Sequence, residues 1–167
     1  MKSDTLRVIR VVDGTSVDGP GLRTSIYLAG CDHHCPGCHN PATWPHTVGE
    51  DVTIDDIVKH VIDNEFDVTL TGGDPLYQPQ GVKTLVNKLK QMNINVWLYT
   101  GFTYEEIMAD PKLSDAIAEV DVVVDGPFIQ SLRDETLMFR GSSNQRLIDN
   151  TNSGHDHIAL YHYNPQI

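Results

Sequence analysis

The sequence predicts an α/β protein whose strands and helices alternate along one domain. Apolar runs of strand length recur at residues 24–30, 66–71, 94–100 and 120–125. Helical spacing of apolar side chains fills the intervals between these runs, and turns containing Gly or Pro separate the two kinds of segment. Because right-handed crossovers bring successive strands back in the same direction, this alternation predicts a parallel sheet.

The predicted helices begin at capping signals. Residues 53–64 place their apolar side chains on one face, and Thr53 is suited to cap the first turn. Residues 82–92 have the same periodicity. The segment 103–108 opens with a Thr and a Glu at capping-box spacing, and residues 112–119 predict a further short helix. These helices are the crossovers that a parallel sheet needs.

The two ends of the chain depart from this alternation. Residues 7–12 are β-branched and predict an opening strand, whereas the polar stretch 139–149 predicts a surface loop. We therefore expect residues 1–149 to form the main domain and residues 150–167 to form a C-terminal tail, with strand character only at 158–161. The tail contains several histidines, but we expect a weakly ordered segment there rather than a second metal site.

Composition limits the classes of partner. The 167 residues carry a formal net charge of −11 at pH 7, which argues against a nucleic-acid backbone as partner. No apolar run is long enough to span a bilayer, and the N-terminus lacks the apolar segment of a signal peptide, so no membrane association is expected. Cysteines crowded into one short stretch suit a metal loop in a reducing compartment, which predicts a cytoplasmic protein.

All three cysteines lie in one loop directly after the first buried strand. Cys31, Cys35 and Cys38 form a C-x3-C-x2-C motif, and a Pro-Gly pair bends the chain between the last two. Thiolates are the usual ligands of iron–sulfur clusters and of zinc, so the three can converge on one metal centre. In a four-iron cluster, three ligands leave one iron open. The alternative is a structural zinc site completed by a histidine. The candidates for that fourth ligand are His33, His34 and His39.

Three further turns follow strands of the same predicted sheet. They are Gly72-Gly73-Asp74-Pro75, Tyr99-Thr100-Gly101 and Asp125-Gly126-Pro127. The carboxyl ends of parallel strands meet at one edge of a sheet, and ligands collect there. We therefore expect these turns and the cysteine loop to line one cleft.

Taken together, the cysteine loop and the T-G-G-D-P turn resemble the signature segments of the radical S-adenosylmethionine (SAM) enzymes. The resemblance implies that Cys31, Cys35 and Cys38 hold a [4Fe-4S] cluster whose open iron binds SAM. It also implies SAM contacts beside the cluster and at the amino end of the ligand. The residues concerned are Gly37, Cys38 and His39 in the loop, and Thr71, Gly72, Gly73 and Asp74 in the turn. No catalytic residue beyond the cluster is implied, because the radical step needs no protein acid or base.

A longer series of motifs narrows the resemblance. In chain order they are D-G-P-G-L-R, C-D-H-H-C-P-G-C-H-N, N-P-A-T-W, T-G-G-D-P-L, Y-T-G, V-D-G-P-F and F-R-G-S-S-N-Q-R. Between about residues 9 and 149, this series resembles the activating proteins of anaerobic (class III) ribonucleotide reductases. The first motif also marks Arg23 as a candidate active-site or partner-facing residue.

This family resemblance implies a fold, a reaction and partners. The fold is a short, incomplete parallel (β/α) barrel of radical SAM type, open enough to admit a peptide. The reaction is reductive cleavage of SAM, whose 5′-deoxyadenosyl radical takes hydrogen from a glycine Cα of the reductase. A low-potential electron donor such as flavodoxin or ferredoxin is the second partner. The alternatives are a formate-lyase-type activase, a deazaguanine synthase, and a non-catalytic, zinc-stabilised adaptor.

Overall fold

The fold is a seven-stranded mixed sheet with helices packed on one face, and the computed structural model describes residues 4–38 and 41–163. The strands are β1 (Thr5–Thr15), β2 (Arg23–Leu28), β3 (Glu50–Thr53), β4 (Asp67–Gly72), β5 (Val96–Tyr99), β6 (Val122–Asp125) and β7 (Arg146–Asp149). The helices are α1 (Ile54–Asn64), α2 (Pro79–Gln91), α3 (Tyr104–Ala109) and α4 (Pro111–Ile117). Across the sheet the strand order is β3-β1-β2-β4-β5-β6-β7.

The centre of the sheet is parallel, as predicted. β2, β4, β5 and β6 run in the same direction, with helices in the connections between them. Leu28 at the end of β2 pairs with Gly72 at the end of β4, and Tyr99 of β5 pairs with Val124 of β6. This register places the loops that follow these four strands along one edge of the sheet.

The outer strands correct the expectation of an all-parallel sheet. β1 is antiparallel to β2, because the two strands are joined by a short loop, and a parallel pair would need a longer crossover connection such as a helix. β3 and β7, which the sequence did not predict as strands, also pair antiparallel with their neighbours. β7 lies within the stretch predicted as a loop, since its apolar pair Leu147 and Ile148 is too short to show a period. Among the described residues β3 and β7 are not paired with each other, so the sheet is open.

Alternating side chains divide the sheet into two faces. Val96 and Leu98 point to the face covered by the helices, which carries the main core. Trp97 points to the opposite face, where it packs with Val122 and Val124. We call this second surface the loop-covered face; Tyr99, Phe139, Leu147 and Tyr161 pack against its core.

Two of the predicted capping signals are confirmed. The Thr53 hydroxyl accepts the N–H of Asp56 at 3.1 Å, and Thr103 forms a complete capping box with Glu106. α2 begins at Pro79, earlier than predicted, because a proline at the first helical position lacks an N–H that would be unpaired there anyway. No helix within residues 4–38 and 41–163 combines the length and the apolarity that crossing a bilayer requires.

The C-terminal segment is packed rather than weakly ordered over its described part. Asn150 is 8% exposed, and its side chain donates to the carbonyls of Ile117 and Val120 at 2.7 Å each. The N–H of Tyr161 donates to Leu147 O at 2.8 Å, and its ring packs edge-on against Trp97. Residues 158–161 therefore add a short bridge to β7 instead of a full strand.

Candidate active site

The cysteine loop follows β2 and is fixed at its base by backbone hydrogen bonds. The N–H of Gly30 donates to Thr43 O at 2.8 Å, and the N–H of Cys31 donates to Trp44 O at 3.0 Å. The Trp44 ring stacks on the exposed His34 ring, with 4.6 Å between centroids and 6° between planes. The segment that follows the loop thus holds its first cysteine in place.

The three cysteine thiols are unpaired and differ in exposure. Cys31 is 8% exposed, while Cys35 and Cys38 are half-buried. Burial raises the pKa of the Cys31 thiol to about 11 and also raises the pKa of Cys35. The N–H of Cys38 donates to Cys35 O at 3.1 Å across a turn in which Gly37 has a φ of 77°, a left-handed conformation that favours glycine. A bound metal would favour the thiolate form of these ligands.

The donor chemistry of the loop suits an iron–sulfur cluster or zinc. Soft thiolates prefer iron–sulfur clusters or zinc to hard cations. Within the part of the chain that the structure describes, no three His, Cys, Asp or Glu side chains are close enough together to hold a metal ion, so neither the three cysteines nor a Cys3His zinc group has converged there. His39, which the sequence suggests as a SAM contact and as a zinc ligand, lies outside the described residues.

The Asp74 carboxylate joins the cysteine loop to two strand ends. Asp74 is 1% exposed, and its Oδ2 lies 2.8 Å from His33 Nε2. The same oxygen accepts from Thr100 Oγ1 and from the N–H of Gly101, each at 2.9 Å. Oδ1 accepts from the N–H of Leu76 at 3.0 Å. The hydrogen bond to Asp74 raises the pKa of His33, because the carboxylate stabilises the imidazolium form.

Gly72 and Gly73 lie where the end of β4 meets the backbone after β2. A Cβ on Gly72 would lie 2.3 Å from Leu28 N, and a Cβ on Gly73 would lie 2.5 Å from Gly30 O. Contacts this short exclude any side chain, so the packing of the two strand ends already requires both glycines. Thr71, Gly72 and Gly73 remain partly exposed, whereas Asp74 is buried.

The turn Asp125-Gly126-Pro127, the last of the three predicted turns, also reaches the cysteine loop. The N–H of Gly126 donates to Phe102 O at 2.9 Å. Burial raises the pKa of Cys35, and a hydrogen bond from the backbone of Phe128 offsets part of that rise. A Cβ on Gly37 would lie 2.9 Å from the side chain of Gln130. The structure therefore brings together all four segments that the sequence assigned to one cleft.

Comparison with known proteins identifies the family. Residues 17–148 match the family model described as a 4Fe-4S single cluster domain. The anaerobic ribonucleoside-triphosphate reductase-activating protein of Escherichia coli K12 is 35% identical over 140 residues, covering 77% of this chain and 89% of that protein. The protein of the same name from Enterobacteria phage T4 is 37% identical over 144 residues, covering 81% and 88%. This chain belongs to that family of reductase-activating proteins.

One solved structure has a fold similar to that of this reductase-activating family member. QueE from Escherichia coli superposes with a TM-score of 0.53 over 72% of this chain and 70% of the QueE chain, at 15% sequence identity. At that identity the likeness concerns the fold alone. It agrees with an α/β chain built on a mixed sheet with parallel central strands.

Arg23 is not a partner-facing residue of this activating protein. It is 1% exposed and lies at the start of β2, at the opposite end of the strand from the cysteines. Its guanidinium donates to Thr69 Oγ1 at 2.9 Å, to Val68 O at 2.8 Å and to Asn95 Oδ1 at 2.9 Å. Burial lowers the pKa of Arg23. Its side chain thus ties β2 to β4 and to the residue before β5.

The F-R-G-S-S-N-Q-R motif shapes the wall beside the cysteines. Asn144 Nδ2 donates to Pro127 O at 2.8 Å, and Gln145 Nε2 donates to Gly126 O at 3.0 Å. Ser142 is fully buried, and its hydroxyl accepts the N–H of Ile129 at 3.2 Å. The motif therefore braces the turn after β6, whose next residues contact the cysteine loop.

Sequence reasoning missed the role of His33, which it considered only as a zinc ligand. In the structure His33 contacts a carboxylate 41 positions away along the chain. No local spacing could indicate this pair, because it depends on how the ends of β2 and β4 are brought together. The only available signal was that both residues lie in turns predicted to share a cleft.

Proposed function

We propose that this protein activates an anaerobic ribonucleotide reductase by radical SAM chemistry. Cys31, Cys35 and Cys38 would hold a [4Fe-4S] cluster, and SAM would bind beside it. The observation that carries the proposal is the contact between His33 and Asp74, because it keeps the three-thiol loop next to the T-G-G turn. Membership of the reductase-activating family supports the choice of protein substrate.

The residues of this chain would bind and shield the reactants. The bound cluster and SAM would supply the electron transfer and the carbon-centred radical that abstracts hydrogen from glycine. The partly exposed backbone of Thr71, Gly72 and Gly73 is accessible to the amino group of SAM. Gly37 and Cys38 would border the ligand from the loop, as would His39, and the aromatic rings of Tyr77 and Phe102 near His33 would help to exclude water.

An incomplete barrel would give a peptide access to this site. The parallel strands β2, β4, β5 and β6 would supply the barrel-like part. A groove of about 560 Å³ lies beside the loop that precedes β2, lined in part by Val17, Leu22, Met138 and Phe139. Val17 is 70% exposed and Leu22 is 57% exposed, so the groove presents apolar surface to a partner. We propose that the reductase docks against this groove, at the end of β2 away from the cysteines.

The proposed function also includes an electron donor and a division of the chain into a domain and a tail. The electron would come from a low-potential donor such as flavodoxin or ferredoxin, in the cytoplasm. The site residues 31–74 belong to the proposed radical SAM domain, residues 1–149. The segment 150–167 would form a tail outside the family motifs.

The test is anaerobic reconstitution with iron and sulfide, followed by dithionite reduction and electron paramagnetic resonance (EPR) with and without SAM. We expect a reduced four-iron signal that changes when SAM is added. Addition of the anaerobic reductase should then produce a glycyl-radical signal, whereas formate lyase should produce none. A colourless protein with one zinc and no iron would overturn the proposal in favour of the adaptor.

Single Cys-to-Ala variants test the ligand assignment. Replacing Cys31, Cys35 or Cys38 should abolish SAM cleavage, because a cluster with only two thiolates loses its anchoring. Methionine and 5′-deoxyadenosine would be quantified by chromatography. Wild-type cleavage by any one variant would remove that cysteine from the ligand set.

The choice of protein substrate is tested separately. In the wild-type protein, a glycyl radical on formate lyase but not on the reductase would identify the other class of activase.

A further inference from the structure

We infer that His33 and Asp74 act as a pin that positions the cysteine loop against the SAM-binding turn, and that Asp74 does not itself bind SAM. This inference rests on the proposed function, because it assigns a task to residues between the cluster ligands and the T-G-G turn. Both members of the pin are shielded: the side chain of His33 is 17% exposed and that of Asp74 is 1% exposed.

The acceptor capacity of Asp74 is the first argument. A carboxylate offers about four acceptor positions. In Asp74, protein groups already engage both oxygens at 2.8 to 3.0 Å: His33, Thr100 and Gly101 share Oδ2, and Leu76 donates to Oδ1. Oδ1 keeps one acceptor position, but Asp74 is 1% exposed, so an ammonium group could reach it only if the surrounding protein moved. The carboxylate therefore serves the protein interior, and the amino end of SAM is left to the backbone of Thr71 to Gly73.

The slot around His33 is the second argument. The imidazole lies edge-on to Phe102 at 4.6 Å and to Tyr77 at 5.5 Å between ring centroids. A Cβ on Gly101 would lie 2.5 Å from Cδ2 of His33, so the ring fits only because residue 101 lacks a side chain. His33 is thus fixed by shape as well as by its hydrogen bond. A surface histidine needs none of these features.

The connectivity of the pin is the third argument. His33 lies between Cys31 and Cys35, so its position determines where the first two thiols can lie. Through Asp74 it is joined to the end of β4, and through Thr100 to the end of β5. Loss of the pin would leave the loop held by its base and by its contacts with Trp44, Phe128 and Gln130, none of which joins it to the T-G-G turn. The cysteines would then remain able to bind iron, but their position relative to the T-G-G backbone would vary.

The experiment compares His33→Phe, which fills the aromatic slot but cannot hydrogen-bond to Asp74, with His60→Phe as the matched control. His60 also contacts a carboxylate, Asp13 at 2.9 Å, but it lies on α1 and outside the cysteine loop. In the reconstituted protein, SAM would be titrated against the SAM-dependent change in the reduced EPR signal. We expect His33→Phe to weaken SAM binding at least tenfold and His60→Phe to leave it unchanged. His33→Gln, whose amide can still donate to Asp74, should recover part of the affinity.

Hydrogen exchange of the metal-free protein is the second readout. The amides of residues 31–38 should exchange faster in His33→Phe than in the wild type, while those of α2 should not change. Gly101→Ala retains both members of the pin but crowds the imidazole of His33, so it should also make the amides of residues 31–38 exchange faster. This variant replaces His33→Phe in the experiment if His33→Phe does not fold. Unchanged SAM affinity and unchanged loop exchange in both variants would overturn the pin. Absence of a SAM effect in the wild type would instead refute the proposed function, and loop exchange would still decide on the pin.

Discussion

Gly72 shows how a single residue position controls the approach of two strands. Its φ is 115°, and its Cα faces the backbone of Leu28 with no room for a methyl group. The T-G-G turn therefore needs glycine for close packing within the protein, and the proposed function adds access for SAM as a second reason. The first holds whether or not a ligand is bound, so it can be tested on the metal-free protein.

Gly72→Ala should destabilise the protein by about 3 kcal/mol or more, since it combines backbone strain with overpacking. The matched control is Gly21→Ala. Gly21 has a φ of 72° but nothing within 4 Å of the added Cβ, so it should lose only about 1 to 2 kcal/mol from the left-handed backbone. Urea unfolding of the metal-free variants measures the difference. Equal losses of stability in Gly72→Ala and Gly21→Ala would show that the backbone of β2 can move away from residue 72 without cost.

β7 has an ionic anchor in addition to its pairing with β6 and its buried Ile148. Arg146 bridges the buried Asp125 of β6 and the exposed Glu105 of α3, with Nη2 at 2.5 Å from Asp125 and 2.6 Å from Glu105. The two carboxylates raise the pKa of Arg146, and Arg146 in turn lowers the pKa of Glu105. Because β7 braces the end of β6, this anchor supports the wall next to the cysteine loop.

Arg146→Met should cost about 3 kcal/mol, because it leaves the Asp125 charge buried without its cation. Glu105→Gln should cost less than about 1 kcal/mol, because that carboxylate is exposed and screened by solvent. The pKa of Glu105 is lower in the folded protein, so its contribution is present above its ordinary value and is lost as the pH falls. Urea midpoints at pH 7 and in mild acid would check both effects; equal losses in the two variants would contradict them.

At the scale of the whole molecule, the C-terminal segment packs against the sheet beside β7. Asn150 donates to two carbonyls and accepts the hydroxyl of Tyr104 at 2.8 Å, so one buried amide joins α3, the end of α4 and the last strand. Tyr161 covers Trp97 on the loop-covered face. The segment therefore contributes to the same structure as the family motifs that precede it.

A chain ending at Asp149 should be less stable than one ending at Asn152 by about 2 to 4 kcal/mol, because only the longer chain keeps Asn150 and its partners paired. Thermal unfolding of the two metal-free chains, followed by Trp fluorescence, measures the difference. Asn152→Ala in the full chain is the control and should change stability by no more than about 0.5 kcal/mol, since Asn152 is exposed. Equal stability of the two truncated chains would refute a structural role for Asn150.

The apolar groove beside the start of β2 is the surface on which we propose that the reductase docks. Val17→Asp should lower the yield of reductase glycyl radical at least tenfold while SAM cleavage stays near wild type, because a charge would face an apolar partner. Val11→Asp is the control: Val11 is 36% exposed on β1 and does not line the groove. Glycyl-radical EPR and 5′-deoxyadenosine release measure the two activities. Equal radical yields from both variants would place the docking surface elsewhere.

The sequence by itself determined the features that depend on neighbouring residues. Apolar runs defined β4, β5 and β6, side-chain oxygens defined the caps at Thr53 and Thr103, and the cysteine spacing defined the candidate metal loop. Each of these signals lies within a few positions along the chain, where propensity and periodicity act directly.

Only the tertiary structure decided the features that depend on distant pairing. The direction of β1, the existence of β3 and β7, and the burial of Arg23 all follow from which segments lie side by side, and a short strand gains its stability from its neighbours rather than from its own residues. The contact between His33 and Asp74 is of the same kind. Its two residues are recognisable as polar members of two turns, but their partnership arises because β2 and β4 are parallel neighbours that end at the same level.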